Sequence, residues 1–190
     1  MKSLNLVDSK TKLLQDILIH SHSSRVAYYS KILGEYINLN DTELTVLQIS
    51  AKMHDIGKLR IPIALLNKRE KLTDAEFEVI KQHTIHSSDI LIEKGMGEFA
   101  DIVKHHHERW DGKGYPNGLA GDAIPYFSRV IAIADAYDAM ISIRPYGRVY
   151  TNKDALVELL RSSGTQFDPN LVPLFIQAIE YDTNQKTHSA

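Results

Sequence analysis

"IPYFSRVIAIADAYDAMIS" (Ile124–Ser142) is apolar nearly all the way round a helical wheel. Such a stretch reads as a helix enclosed by other elements rather than one lying on a wetted surface. Two carboxylates interrupt it. Asp135 sits among Ile131, Ile133, Ala134, Ala136 and Tyr137, and Asp138 follows one turn on. An ionised carboxylate in an apolar helix is costly unless a cation or a full set of hydrogen bonds compensates it. Asp135 is therefore either ion-paired, with Arg129 or Arg144 as the available partners, or it faces a site that brings its own positive charge.

Outward from this helix the helical period continues in both directions. "NDTELTVLQISAKMHDIGK" (Asn40–Lys58) opens with a capping box, Asn40 and Glu43, ahead of an apolar face at Leu44, Leu47 and Ala51. "LTDAEFEVIKQHTIHSSDILIEKG" (Leu72–Gly95) repeats the device with Thr73 and Glu76 and reads as one helix stopped by Gly95. "TNKDALVELLRSSG" (Thr151–Gly164) runs from polar caps to a glycine. "DPNLVPLFIQAIE" (Asp168–Glu180) has Asp168 as cap, Pro169 at the first helical position and Pro173 as a candidate kink. No alternating strand pattern longer than a few residues, no repeat and no low-complexity segment is found. The expectation is an all-α bundle of about six or seven helices. One domain is expected over residues 1–180, followed by a polar tail, 181–190, that frays.

Composition narrows the function. With 190 residues the chain can bury a core, and a net charge of -2 with a pI near 6.5 argues against a nucleic-acid polymer as partner. The absence of cysteine removes disulfides and thiolate zinc sites. No signal-peptide core and no run of eighteen apolar residues is present, so no membrane partner is expected and the reading is cytoplasmic. The odd quantity is nine histidines.

Several of these histidines stand next to helix ends and carboxylates. "AKMHDIGKLRIP" (Ala51–Pro62) pairs His54 with Asp55 near the end of an amphipathic helix, and "KHHHERWDGKGYPNGLAG" (Lys104–Gly121) puts His106 and His107 where another helix ends. Two adjacent histidines cannot share one helix face, but both can turn toward one point where the backbone leaves the helix. His83 lies on a capped helix, and His22 opens "HSSRVAYYSKILGEYI" (His22–Ile37). A lone His-Asp pair is common on a solvated helix end. Several such residues together with Asp135 point to a metal centre, because neutral imidazoles and carboxylates suit borderline divalent ions such as iron, manganese, zinc or nickel. These residues alone do not choose His22 over His20. His86, His105 and His188, with His20, match nothing comparable and read as structural or exposed.

The strings "HSSRV", "HDIGKLRIP", "LTDAEFEVIKQH", "HHERWDGKGYPNGLAGDAIP", "RVIAIADAYDAM", "RPY" and "GTQFDP" occur in the order and spacing of the HD-GYP domain. The chain thus resembles a branch of the HD-domain metal-dependent phosphohydrolases over nearly its whole length. The resemblance implies an all-α HD-domain bundle, a site for two or three metals, and phosphodiesterase action on cyclic dinucleotides, chiefly cyclic di-GMP. It implies metal ligands at His22, His54, Asp55, His83, His106, His107 and Asp135. Asp55 would bridge two ions, with His22, His54 and Asp135 completing one shell and His83, His106 and His107 the other. Arg25, three residues after His22, matches the family and selects His22 over His20.

The same resemblance implies a catalytic hydroxide bridging two divalent ions, iron or manganese first among them, that attacks phosphorus. Lys58 would face a nonbridging phosphate oxygen. Tyr115 would contact the nucleotide, or else fill a gap in the turn, and Arg144 would fork onto a phosphate. Trp110 and Asp111 read as architectural. The pattern departs from the family at Ile141, Ser142 and Ile143 before Arg144, and at Gly147, where a basic residue is usual and Arg148 comes one residue late. Leu18 stands where three-metal members carry glutamate, so two ions are expected. Two alternatives accompany this reading: hydrolysis of another nucleotide phosphate, and a nucleotide-sensing or partner-binding domain without turnover. A regulatory protein or a second copy of the chain is the further partner considered.

Overall fold

The computed structural model describes residues 21–142 and 149–188. The expectations for Leu18 and Arg144 therefore lie outside the described residues, as do those for His20, Ile143, Gly147 and Arg148. Residues 21–36 are helical (α1), followed by α2 (Asp41–Met53), α3 (Ile63–Leu66), α4 (Asp74–Lys81), α5 (His83–Glu93), α6 (Ala100–Lys104), α7 (Tyr126–Ile141), α8 (Asn152–Arg161) and α9 (Leu171–His188). Single 3₁₀ turns occupy Ile56–Arg60, Gly97–Phe99 and Gly121–Ala123. Among the described residues the only β pairing is two isolated bridges, Asp111 with Ala120 and Ser163 with Phe167. The all-α class holds.

The helices outnumber the expected six or seven for two reasons. Short helices such as α3 and α6 carry too few residues to show a period. The run from Thr73 to Gly95, read as one helix, breaks at Gln82 into α4 and α5. There the His83 Nδ1 donates to the Ile80 carbonyl at 2.7 Å and the Thr84 hydroxyl to the Lys81 carbonyl at 3.0 Å. Side chains thus take carbonyls that a continuous helix would use for backbone bonds. Both predicted capping boxes are present, at Asn40 with Glu43 and at Thr73 with Glu76. Thr151 caps α8 by accepting from the Asp154 amide. Helix α9 begins two residues later than Pro169 suggests: Asp168 holds a turn first, accepting from the Asn170 amide at 2.8 Å. Pro173 then falls in the first turn of α9, where a missing N–H is of no consequence. The polar residues expected to fray continue α9 to His188.

Helix α7 runs through the centre, as its sequence demands. Val130, Ile131, Ile133, Ala134 and Tyr137 are buried against Leu33 of α1, Leu47 of α2, Leu159 of α8 and Phe175 of α9. The Tyr137 ring meets Tyr29 and Phe175 edge-on, with centroids 5.0 and 5.3 Å apart. Full burial of side chains of this size stabilises by about 1.5–3 kcal/mol each, so this cluster is the main source of stability. A smaller cluster, Leu91, Phe99, Ala100 and Val103, pins α5 to α6 beneath the histidines. The turn after α2 is seated on α5 by Gly57. Its amide donates to Ser87 Oγ (2.8 Å), whose hydroxyl donates to the His54 carbonyl (2.7 Å). A Cβ at Gly57 would lie 2.0 Å from the His83 carbonyl oxygen, so only glycine permits this approach.

Candidate metal centre

Five separate segments deliver the seven residues to one place. His22 comes from α1, His54 and Asp55 from the end of α2, and His83 from the first position of α5. His106 and His107 come from the turn after α6, and Asp135 from α7. Their ligand atoms form two groups, Asp55 with His83, His106 and His107, and His22 with His54 and Asp135; within each group all lie within 4.8 Å of one another. The Asp55 carboxylate stands between the groups. Its Oδ1 is 3.4 Å from His83 Nε2, while its Oδ2 is 3.3 Å from His54 Nε2 and 3.8 Å from His22 Nε2. His22 Nε2 lies 3.1 Å from Asp135 Oδ1. The adjacent His106 and His107 do turn to the same side, with ring centroids 4.1 Å apart.

The far nitrogens show what the near ones are for. Nδ1 of His54 donates to Ala51 O (2.7 Å), that of His83 to Ile80 O (2.7 Å) and that of His106 to Val103 O (2.6 Å). Each bond fixes the proton on Nδ1 and leaves the Nε2 lone pair free. Those three Nε2 atoms, together with Asp55 Oδ1, are buried and find no hydrogen-bond partner among the described residues. Buried, unpaired acceptors gathered in two neighbouring groups are costly without cations, so the donor set fits divalent metal. His22 is held differently: Asp138 Oδ2 is 2.7 Å from its Nδ1, and Asp138 is held in turn by Arg25 through Nε (2.6 Å) and Nη2 (3.0 Å).

Electrostatically the groups diverge. Burial works against a charge on His22, but hydrogen bonds to Asp135 and Asp138 and the nearby Asp55 outweigh it and raise its pKa to about 9. His54 is also raised, Asp55 overcoming its burial. In the other group burial lowers His83, His106 and His107, His107 to about 4, and neighbouring imidazoles add to the effect. Both Asp55 and Asp135 stay ionised: burial opposes this, but Lys58 and His54 around Asp55, and His22 around Asp135, hold their pKa values down.

Around the centre, Lys58 reaches back to pair with Asp55, its Nζ 2.5 Å from Asp55 Oδ2. Tyr115 leans on the His107 ring at a centroid distance of 4.9 Å and an interplanar angle of 31°. A cavity of about 350 Å³ reaches His106, His107 and Asp135 from between α7 and α8. Arg129, a candidate partner for Asp135, instead pairs with Asp122 and Asp168 at 2.8 Å each. The Trp110 and Asp111 amides donate to the carbonyls of Gln166 and Thr165, and the Asp111 carboxylate accepts from Arg109.

Four further residues shape the site, of which only His105 is legible in the sequence, as structural or exposed. Glu108, 4 % exposed, accepts from the amides of Asn117 (2.7 Å) and Leu119 (3.0 Å) and so ties down the loop that carries Tyr115. His105 is structural: its Nδ1 lies 2.9 Å from the Asp101 carbonyl and its Nε2 3.1 Å from Asn117 Oδ1. Gly114 lets that loop fold back, since a Cβ there would lie 2.6 Å from the His107 carbonyl. Asp138 is the fourth. Its spacing one turn after Asp135 was the available signal, but the partner His22 lies 116 residues away.

Known proteins resemble this chain over most of its length. Residues 10–171 match the HD domain family. A cyclic di-GMP phosphodiesterase of Thermotoga maritima is 38 % identical over 166 residues, covering 86 % of this chain and 45 % of that protein. The 3'3'-cGAMP-specific phosphodiesterase 2 of Vibrio cholerae is 36 % identical over 160 residues, covering 83 % and 31 %. The chain thus spans less than half the length of these relatives. The HD domain of the L. monocytogenes phosphodiesterase PgpH, solved in complex with cyclic-di-AMP, shares the fold with a TM-score of 0.64 at 20 % identity, covering 94 % of this chain and 96 % of that one. With the His54–Asp55 pair at the centre and the Gly114-Tyr115-Pro116 turn beside it, the chain belongs to the HD-domain family, in its HD-GYP branch.

Proposed function

We propose that this domain is a metal-dependent phosphodiesterase that opens a cyclic dinucleotide, cyclic di-GMP first among them. The observation that carries the reading is the pair of convergent ligand groups on either side of one carboxylate, Asp55. His22, His54 and Asp135 would hold one divalent ion and His83, His106 and His107 the other, with Asp55 shared; iron or manganese suits this set of nitrogens and oxygens. Bound there, such ions supply Lewis acidity and an activated water at neutral pH. The protein's own groups do the rest. Lys58, beside Asp55, presents an ammonium to a nonbridging phosphate oxygen and offsets charge developing in the transition state. Tyr115 walls the substrate on the His107 side, held in place by Glu108. No nucleophilic side chain is required.

The named activities of the relatives support the same reading, and the 3'3'-cGAMP enzyme makes the hybrid cyclic dinucleotide the second candidate substrate. Among the described residues no helix is long and apolar enough to cross a membrane, which suits action on a dissolved substrate in the cytoplasm. The test is incubation of anaerobically iron- or manganese-loaded protein with each cyclic dinucleotide in turn. Cyclic di-GMP should disappear and linear product accumulate. Intact substrate with every metal, despite measurable binding, would replace the enzyme with a sensor.

A further inference from the structure

Phe77 and Lys81 stand one turn apart on α4, and neither belongs to the metal centre. The Phe77 ring is 43 % exposed. Its centroid is 6.3 Å from that of Tyr115, nearly perpendicular at 80°. Lys81 Nζ lies 5.0 Å from the Phe77 centroid and 5.5 Å from the Tyr115 centroid, steadied by Glu78 Oε1 at 2.6 Å. Tyr115 in turn leans on His107, and its ring centroid is 6.4 Å from that of His83. Two segments remote in sequence therefore bring two aromatic rings and an ammonium to the rim of the centre. A single exposed phenylalanine needs no explanation. One that shares a cation with a second ring, directly beside a phosphate-cleaving site, has the makings of a binding surface.

We infer that Phe77 and Lys81 form, with Tyr115, a purine subsite in which the base next to the scissile phosphate lies against Phe77 and its acceptor atoms face Lys81. This rests on the reading of the centre as a cyclic-dinucleotide phosphodiesterase. Every base has a π-face, so stacking on Phe77 accepts any purine. The ammonium does discriminate, because it has three donors and no acceptor. Guanine offers O6 and N7, both acceptors, along one edge; adenine replaces O6 with an amino group that donates. The subsite therefore favours guanine-containing substrates over purely adenine-containing ones.

Binding of hydrolysis-resistant phosphorothioate analogues of cyclic di-GMP and cyclic di-AMP to the metal-loaded protein, measured by calorimetry, tests this apart from turnover. Phe77→Leu should weaken both analogues roughly tenfold through lost stacking. Lys81→Met should weaken the guanine analogue roughly tenfold and leave the adenine one within about twofold. Metal content should stay at the wild-type level in both variants. Unchanged affinities, an equal loss for both analogues in Lys81→Met, a loss accompanied by loss of metal, or no binding by the wild type would each overturn the subsite. Wild-type binding with these signatures but no hydrolysis of cyclic di-GMP would sink the proposed activity and leave the subsite standing.

Discussion

Around His22, imidazole meets carboxylate: Nε2 is 3.1 Å from Asp135 and Nδ1 2.7 Å from Asp138. Around His106, imidazole meets imidazole, with the rings of His54, His83 and His107 at 4.9, 5.4 and 4.1 Å. The same residue type consequently titrates in opposite directions within one centre. His22 is raised to about 9, whereas His107 is lowered to about 4. The two halves would therefore meet an ion in different states. Carboxylates make the His22 half electrostatically attractive but leave a proton on the imidazole, which an ion must displace. Burial and mutual repulsion keep the His106 half neutral, with its lone pairs already available.

Asp55 stands between the halves and is the proposed shared ligand, so its removal should have the largest effect. Asp55→Ala should strip metal from both groups and abolish hydrolysis. Elemental analysis showing wild-type metal content in the purified variant would take Asp55 out of the centre.

Asp138→Asn should separate the halves. It keeps the shape but weakens the hold on His22 and Arg25, and partners of this kind are commonly worth about 10–100-fold in metal affinity. One ion should then titrate more weakly while the other keeps its wild-type affinity. Equal weakening of both ions would mean that the halves are not independent.

The smallest effect is the proton count. At pH 7 His22 lies below its pKa of about 9 and is protonated in the metal-free protein, so an ion entering that half must release the proton. Affinity there should rise with pH up to about 9 and then level off. The imidazole of His107, with a pKa of about 4, is already neutral from pH 6 to 8, so uptake there should be almost pH-independent. Calorimetry in buffers of different ionisation enthalpy reads the two proton counts. Equal release by both ions would contradict the electrostatic division.

Much of this was legible in the residues because it is local. The capping boxes at Asn40 and Thr73 need only residues three apart, and the burial of α7 is written in its all-round apolar wheel. Asp135 reads as a carboxylate needing a compensating partner for the same reason, and the candidate ligands are legible by residue type, with only the family resemblance separating His22 from His20. What escaped is non-local or depends on exact geometry. The break at Gln82 turns on two side chains capturing particular carbonyls. Arg129 stood as a possible partner for Asp135 by proximity in sequence, yet its guanidinium meets Asp168, which arrives from 39 residues away.

Helical period, caps and side-chain chemistry act over a turn or two, so the all-α class, the central helix and the residue types able to bind a metal are written in the residues themselves. Only folding brings the candidate ligands together, sets Asp55 between the two groups, and places Asp138 and Arg25 behind His22. It alone separated the pKa values of chemically identical imidazoles. Charge and burial depend on neighbours within a few ångströms in space, and those neighbours come from five segments that packing around α7, with the seating of Gly57 on α5, brings together.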